Sequence, residues 1–211
     1  MQNYFIYGNA ETNYLKKRDK ILGKAIDKIG QIKRSTNPDL FSALVNSIVG
    51  QQISTKAQAT IWGRMLNGLG EINPETILAH SQTELQSYGI SFRKADYILG
   101  AAQKVNSGEL DIDNFPSMTD EDIIKELIKL NGIGLWTAEM LLLFSLNRPD
   151  ILSYGDLAII KGIQILYNYE NVTKDVFEEL RQRYSPYGSV ASLYLWAIAG
   201  GANLNYILVE K

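Results

Sequence analysis

Apolar residues recur three and four positions apart along nearly the whole chain, and the alternation of a half-buried strand is almost missing. That spacing is typical of amphipathic helices, so the sequence predicts an all-α protein. The predicted helices are 12–30, 38–68, 74–79, 81–87, 91–107, 119–130, 134–147, 156–167, 173–184 and 187–200.

Polar residues and prolines mark the starts of several of these helices. Asn37 and Asn73 each precede a proline, which predicts an asparagine N-cap followed by proline in the first turn. Thr119 and Asp122 resemble a capping box, with aspartate in place of the usual glutamate. These starts support the helical interpretation.

The composition excludes several kinds of active site. The chain has 211 residues, enough for one domain or for two small lobes that share a cleft. It contains no cysteine, which excludes a disulfide framework, a cysteine-ligated zinc site, a cysteine nucleophile and a cysteine-held iron–sulfur cluster. The one histidine, His80, excludes a histidine-rich metal site.

No segment has the pattern of a membrane span or a secretory signal. The longest nearly apolar runs, Met140–Leu146 and Val190–Ala199, are far shorter than the ~20 residues that cross a bilayer. Met1–Ala10 lacks the charged start and apolar core of a signal peptide. We therefore expect a cytoplasmic protein, nucleoid-associated if the source is bacterial, with no membrane partner.

Charge is spread unevenly along the chain. The formal net charge is -2, which by itself does not suggest a nucleic-acid partner. However, residues 10–34 carry eight basic and three acidic side chains, whereas residues 109–126 carry seven acidic side chains and one lysine. A solvated helix face explains each run, but the asymmetry means that the net charge hides the local sign.

The segment Leu130–Ala138 joins two amphipathic helices and carries the strongest chemical signal. Gly132 and Gly134 allow a sharp turn with positive φ, and they leave no side chain over the amides that open the next helix. Those amides, with the helix dipole behind them, suit a phosphate oxygen. The alternative is an ordinary helical hairpin with glycine in its turn.

This stretch resembles a helix-hairpin-helix motif, and the chain as a whole resembles the HhH-GPD superfamily of DNA base-excision glycosylases. Four further segments match that family's elements in order, namely 47–54 (a Gln-Gln-Ile-Ser loop), 88–95, 148–157 and 186–196. The resemblance implies a helical lobe over 36–148 that contains the hairpin motif (about 122–147). A second lobe would combine 1–35 with 149–211, and the cleft between the lobes would hold the active site.

The resemblance also implies a subfamily. Relatives that nick the strand carry a lysine two positions after the second hairpin glycine, where this chain has Trp136, so we expect a monofunctional hydrolase without lyase activity. With Asp156 20 residues downstream, the pattern resembles the compact alkylbase type, 3-methyladenine DNA glycosylase II (AlkA type). Leu135 departs from the usual arginine. Two alternatives stay open: a glycosylase for another damaged base, and a non-catalytic DNA-binding hairpin module.

Asp156 takes the place of the family's catalytic aspartate. Breaking a purine N-glycosidic bond builds positive charge on the sugar, and a fixed carboxylate beside that carbon stabilises the charge and can orient water. The alternative is that Asp156 is only the N-cap of the helix that follows, and the two roles can coexist.

The remaining site residues follow from the resemblance, each with packing or a solvated surface as its alternative. The base pocket would be lined by Trp136, Trp196, Met140, Tyr154 and Tyr187. The DNA contacts would come from Gln52 as the wedge that fills the gap left by the flipped base, and from Ser54, Lys94, Gly132, Gly134, Trp136 and Thr137. The backbone carbonyls of Ile128, Leu130 and Ile133 would hold a monovalent cation. No other cofactor is expected, and the partner would be duplex DNA with alkylated bases, bound by a monomer.

Overall fold

A computed structural model describes residues 3–202, and within them the chain is almost entirely helical, which confirms the all-α prediction. The described residues form α1 Asn9–Arg18, α2 Lys20–Ile29, α3 Leu40–Gly50, α4 Thr55–Leu69, α5 Pro74–Leu78, α6 Gln82–Ser87, α7 Phe92–Asn106, a 3-10 helix Ile112–Ser117, α8 Asp120–Leu127, α9 Leu135–Phe144, α10 Leu157–Tyr167, α11 Lys174–Tyr184 and α12 Gly188–Ala199. None of these helices is long and apolar enough to cross a membrane.

One short pair of strands was not predicted. β1 (Asn3–Tyr4) and β2 (Ser35–Thr36) pair antiparallel, with Asn3 opposite Thr36 and Tyr4 opposite Ser35. Two-residue strands leave too few positions for an alternating pattern, so the sequence carries no signal for them.

The predicted helix 12–30 is wrong as a single element, because Asp19 divides it. Asp19 ends α1 and caps α2, where its Oδ1 accepts hydrogen bonds from the amides of Ile21 (3.0 Å) and Leu22 (2.9 Å). A buried aspartate that satisfies the first amides of a new helix stops the preceding one.

The predicted helix 38–68 is also wrong as a single element. It breaks at the Gln51-Gln52 turn, where Gln52 has φ 58°, and α4 then starts with Ser54 as its N-cap. The cap of α3 is Asp39, which accepts from the Ser42 amide, rather than the predicted Asn37. The predicted caps at Asn73 and Thr119 are confirmed, but Thr119 and Asp122 do not form a full capping box, because Asp122 Oδ2 accepts from the Thr119 hydroxyl (2.8 Å) instead of from its amide.

The chain forms two compact units, residues 1–36 with 142–211 and residues 37–141. The second boundary falls within α9, whereas the sequence places the lobe boundary after Arg148. Of the predicted second lobe, residues 1–2 and 203–211 lie outside the described residues.

Each unit has its own core. In the first unit, α10 and α12 pack closely and α1 packs on α2, around buried side chains such as Leu22 and Tyr194. In the second unit, α7 packs on α3, α5 and α6, around buried Leu44 and Ile98. Asp156 and Trp196 belong to the first unit, and the hairpin glycines with Trp136 belong to the second.

Candidate active site

Asp156 is a buried carboxylate at a fixed place. Its side chain is 7% exposed, and its Oδ1 accepts hydrogen bonds from the amides of Ala158 (2.9 Å) and Ile159 (3.0 Å) at the start of α10. The N-cap role is therefore confirmed. The same contacts fix the carboxylate against the positive end of the helix dipole, so the cap also positions the group for electrostatic work.

Two serines of α12 hold the loop that leads into Asp156. Ser189 Oγ accepts from the Ile151 amide (2.9 Å), and Ser192 Oγ donates to the Ile151 carbonyl (2.9 Å). Both serines are fully buried, so these bonds form away from water. Neither serine was predicted as a site residue, and the signal that could have identified them is two hydroxyls within an otherwise apolar helix.

Two glycines allow α12 to pack closely against α10 and against the loop that leads into Asp156. A Cβ on Gly162 of α10 would lie 2.3 Å from the carbonyl oxygen of Leu195, so only glycine permits the observed approach of the two helices. At the start of α12, the Gly188 amide donates to Asp150 Oδ1 (2.9 Å). The backbone around Asp156 is thus held from both α10 and α12.

The aromatic residues predicted for the base pocket in the first unit have different surroundings. Trp196 is half-buried and stacks on Phe144, with ring centroids 5.6 Å apart and an interplanar angle of 26°. Tyr154 is 45% exposed and meets Phe177 edge to face. Tyr187 packs edge to face on Tyr14.

The charged side chain of Arg34 contacts the stacked pair of Phe144 and Trp196, and this contact was not predicted. The guanidinium carbon of Arg34 lies 5.2 Å from the ring centroid of Phe144 and 6.0 Å from that of Trp196. These distances are in the range of cation–π contacts. Arg34 is the last residue of the basic run 10–34, but that run predicted only a charged surface and not a contact with aromatic rings.

In the second unit, the hairpin glycines have unequal roles. Gly132 has φ 84°, and a Cβ there would lie 2.4 Å from the Tyr97 ring, so both conformation and space require glycine. Gly134 does not use positive φ, contrary to expectation, and a Cβ there would meet no atom within 4 Å. Gly132 therefore makes the turn, and Gly134 leaves open space at the start of α9.

The first turns of α9 carry three predicted site residues. Trp136 is 48% exposed, Met140 is half-buried one turn later, and Thr137 is buried between them. An indole with half its surface exposed on a helix end is available for contact with a ligand, as the base-pocket hypothesis requires.

The Gln51-Gln52 turn is tied to the hairpin and to α7. Gln51 Nε2 donates to the Gly132 carbonyl (2.7 Å), which joins the two predicted DNA-contact loops directly. Lys94 Nζ donates to the carbonyls of Val49 (2.8 Å) and Gln51 (2.7 Å) at the end of α3. Burial lowers the pKa of Lys94, with a smaller contribution from Arg93. Lys94 thus stabilises this turn, and a phosphate contact by the same ammonium stays a prediction.

The outer part of the same turn is exposed. Gln52 has a left-handed conformation, which is rare for residues other than glycine and is frequently found where a side chain has a function. Its side chain faces solvent, and the next predicted contact, Ser54, caps α4 by accepting from the Ala57 amide (3.2 Å).

The cation that the resemblance implies would be held by backbone carbonyls of the hairpin. Residues 3–202 contain no cluster of three or more His, Cys, Asp or Glu side chains that could hold a metal ion. Ile128 caps the C-terminus of α8, and the Leu130 carbonyl accepts from the Ile133 amide (3.1 Å). The carbonyl-bound cation stays a prediction.

Comparison with known proteins gives one family and consistent relatives. A family model described as "HhH-GPD superfamily base excision DNA repair protein" matches residues 45–186. YfjP of Bacillus subtilis, whose name assigns it DNA-3-methyladenine glycosylase activity only provisionally, is 32% identical over 166 residues. The match covers 74% of this chain and 58% of YfjP, so the chain spans about three fifths of that relative.

Two solved structures resemble the chain over nearly its whole length. A DNA-3-methyladenine glycosidase from Bacillus halodurans aligns with a TM-score of 0.85 and 37% identity, covering 94% of this chain and 93% of that one. Schizosaccharomyces pombe 3-methyladenine DNA glycosylase Mag1, in complex with abasic DNA, aligns with a TM-score of 0.78 and 27% identity. That alignment covers 90% of this chain and 96% of Mag1.

Proposed function

Because the chain belongs to the HhH-GPD superfamily of base excision DNA repair proteins, we propose that it is a monofunctional DNA glycosylase for alkylated purines. Its substrate is duplex DNA with lesions of the 3-methyladenine and 7-methylguanine type. The observation that carries the proposal is the buried, doubly hydrogen-bonded carboxylate of Asp156, a residue that the resemblance assigns to the family's catalytic position. The names of the similar glycosylases support the choice of base.

Asp156 acts on the charge that develops as the base leaves. The bond between C1′ and the purine nitrogen breaks with its electron pair passing to the base, and positive charge spreads over C1′ and the ring oxygen. The carboxylate stabilises that charge, a water adds to C1′, and its proton is lost to solvent. An alkylated purine that is already cationic leaves as a neutral molecule, so no general acid is needed. His80, which bonds the Thr76 carbonyl through Nδ1 (2.8 Å), has no part in this step.

Trp136 supports hydrolysis without strand cleavage. An indole has no amine to attack C1′, so no Schiff base forms at this position and water is the nucleophile. The product is an abasic site, the first intermediate of base-excision repair. Trp136 offers an aromatic face that attracts a cationic base by cation–π contact, and Trp196 offers a face on which a base stacks.

The duplex is held by the second unit's two loops. The open space at Gly134 lets a phosphate approach the first amides of α9, where no lysine is required. Gln52 fills the gap that the flipped nucleotide leaves, and Gln51 and Lys94 hold its turn in place. The enzyme is proposed to act as a monomer.

A monovalent cation fits the hairpin. It would be held by the backbone carbonyls of Ile128, Leu130 and Ile133, and when bound it would supply positive charge beside a phosphate. The C-terminal end of α8, which Ile128 caps, favours a cation through the helix dipole. The Leu130 carbonyl keeps a second lone pair beside the Ile133 hydrogen bond.

The test is base release under single-turnover conditions. Duplexes with one 7-methylguanine or 3-methyladenine, and an undamaged duplex, are incubated with wild type and with Asp156→Asn. We expect release by wild type from the damaged duplexes alone, with alkali-sensitive abasic sites and no spontaneous strand break. Absence of release contradicts the alkylbase proposal, and equal activity of the variant contradicts the role of Asp156. A protein adduct trapped by borohydride on abasic DNA would overturn the argument from Trp136.

A further inference from the structure

Arg34, Phe144 and Trp196 form a three-residue stack in the first unit, hereafter the Arg34 stack. The two rings are nearly parallel, and the guanidinium carbon lies 5.2 Å and 6.0 Å from their centroids. The Arg34 guanidinium thus lies at the ring of Trp196, where we propose that the extruded base binds.

Arg34 is held by its backbone rather than left to move freely. The Phe5 amide donates to the Arg34 carbonyl (2.9 Å), and the next residue, Ser35, pairs with Tyr4 in the short sheet. The only strand pair of residues 3–202 therefore fixes the place from which the guanidinium reaches Phe144 and Trp196. This accounts for a two-residue sheet in an otherwise helical protein.

Within the described part of the chain, no carboxylate forms an ion pair with Arg34. The ion pairs among residues 3–202 involve Arg181 and Arg183 but not Arg34. A guanidinium is charged at every working pH and carries five N–H donors and no acceptor. A base beside it is therefore favoured if it is neutral and offers a carbonyl or ring nitrogen, and disfavoured if it is cationic.

We propose that Arg34 is a specificity-determining residue that lowers the release of cationic alkylpurines relative to neutral damaged purines. The proposal rests on the proposed function, because it requires Trp196 to lie at the base. For like charges ~6 Å apart at an effective dielectric constant of ~40, the repulsion weakens binding of the cationic base by about tenfold, before the bond breaks and the base loses its charge. The residue thus shifts the substrate range towards neutral, acceptor-bearing bases without abolishing activity on cationic ones.

The test compares two duplexes that differ only in the lesion, 7-methylguanine as the cationic probe and hypoxanthine as the neutral one. With the protein below saturation, so that the rate includes binding of the base, Arg34→Gln should raise the ratio of the single-turnover rates (7-methylguanine over hypoxanthine) by up to about tenfold, since it removes the repulsion. Arg34→Lys, which keeps the positive charge but loses the planar group over the rings, should change the ratio less than Arg34→Gln does. Arg181→Gln removes a positive charge from the same unit, away from the Arg34 stack, and should not change the ratio.

The outcomes separate this inference from the proposed function. A ratio within twofold of wild type in Arg34→Gln overturns the inference, even if both rates fall together, because that result indicates a role in folding or DNA binding. A wild type that releases 7-methylguanine but no hypoxanthine also contradicts it. If wild type releases neither base, the proposed function itself fails.

Discussion

Two aspartates in the same unit cap helices with nearly the same geometry. Asp19 Oδ1 accepts from the amides of Ile21 (3.0 Å) and Leu22 (2.9 Å), and Asp156 Oδ1 accepts from those of Ala158 (2.9 Å) and Ile159 (3.0 Å). The two residues are 4% and 7% exposed. Cap geometry and burial therefore do not distinguish a structural aspartate from the one that we propose to be catalytic.

Their neighbours differ. Asp19 Oδ2 accepts from the Tyr167 hydroxyl (2.7 Å) and from Arg183 Nη1 (2.9 Å), so this carboxylate links α2, α10 and α11. The residues that flank Asp156 in the chain include exposed apolar side chains, since Tyr154 is 45% exposed and Leu157 is 84% exposed. A carboxylate that is paired with arginine stabilises the fold. Exposed apolar side chains next to a carboxylate are instead typical of a site that a ligand covers.

The largest expected effect comes from Asp156→Asn. We expect the single-turnover release of 7-methylguanine to fall about 100-fold or more, because the developing sugar cation loses its counter-charge. Asparagine caps helices as well as aspartate does, so the free energy of unfolding should change by less than about 0.5 kcal/mol. Rate assays and denaturant unfolding check the two parts. A variant that loses activity only because it unfolds would remove the contrast with Asp19.

Asp19→Asn should show the reverse pattern. The cap survives, but the charge-assisted contact with Arg183 is lost, which we expect to cost about 2 kcal/mol. For a chain of this length, that corresponds to a melting temperature lower by about 4–8 °C. The rate of base release per folded molecule should stay within about twofold of wild type, since one neutralised charge far from the reaction has little effect. A larger loss of activity would place Asp19 in the reaction.

The sequence predicts the secondary structure well where a local rule decides it. The caps at Asn73 and Thr119 and the role of Gly132 in the hairpin depend on neighbouring residues, and they are confirmed. The joins at Asp19 and at Gln51-Gln52 were missed, because apolar spacing continues across them and only the side-chain caps end the helices.

The surroundings of the candidate site could not be predicted from the sequence. Asp156 was identified from its motif, but Arg34 lies 122 positions before it, and no local pattern relates them. Contacts between distant segments depend on how the helices pack, which single-sequence periodicity does not encode. For the same reason, the support that Ser189 and Ser192 give to the Asp156 loop was not predicted.

Leu157→Gln sharpens the comparison on the Asp156 side. A leucine that is 84% exposed next to the carboxylate gains apolar burial if DNA covers it, so we expect DNA affinity to fall about threefold to tenfold. Stability should not change, because little of the side chain is buried in the free protein. Ile6→Gln is the matched control, since Ile6 is 86% exposed in the same unit. Equal affinities for damaged duplex in all three proteins would mean that DNA does not cover Leu157.

Tyr167→Phe tests the Asp19 side and should have the smallest effect. Near neutral pH, the loss of the hydroxyl that donates to Asp19 should cost about 1 kcal/mol, with no change in base release.

Burial, reinforced by Tyr184 and Asp19, raises the pKa of Tyr167, so the folded protein keeps this proton where the unfolded chain loses it, above about pH 10. Wild-type stability should therefore fall as pH rises through that value, by up to about 1.4 kcal/mol per pH unit for this group. The phenylalanine variant lacks this contribution, so the two stability curves should converge in alkali. Curves that stay parallel between pH 9 and 11.5 would contradict a buried, protonated Tyr167 and with it the structural assignment of Asp19.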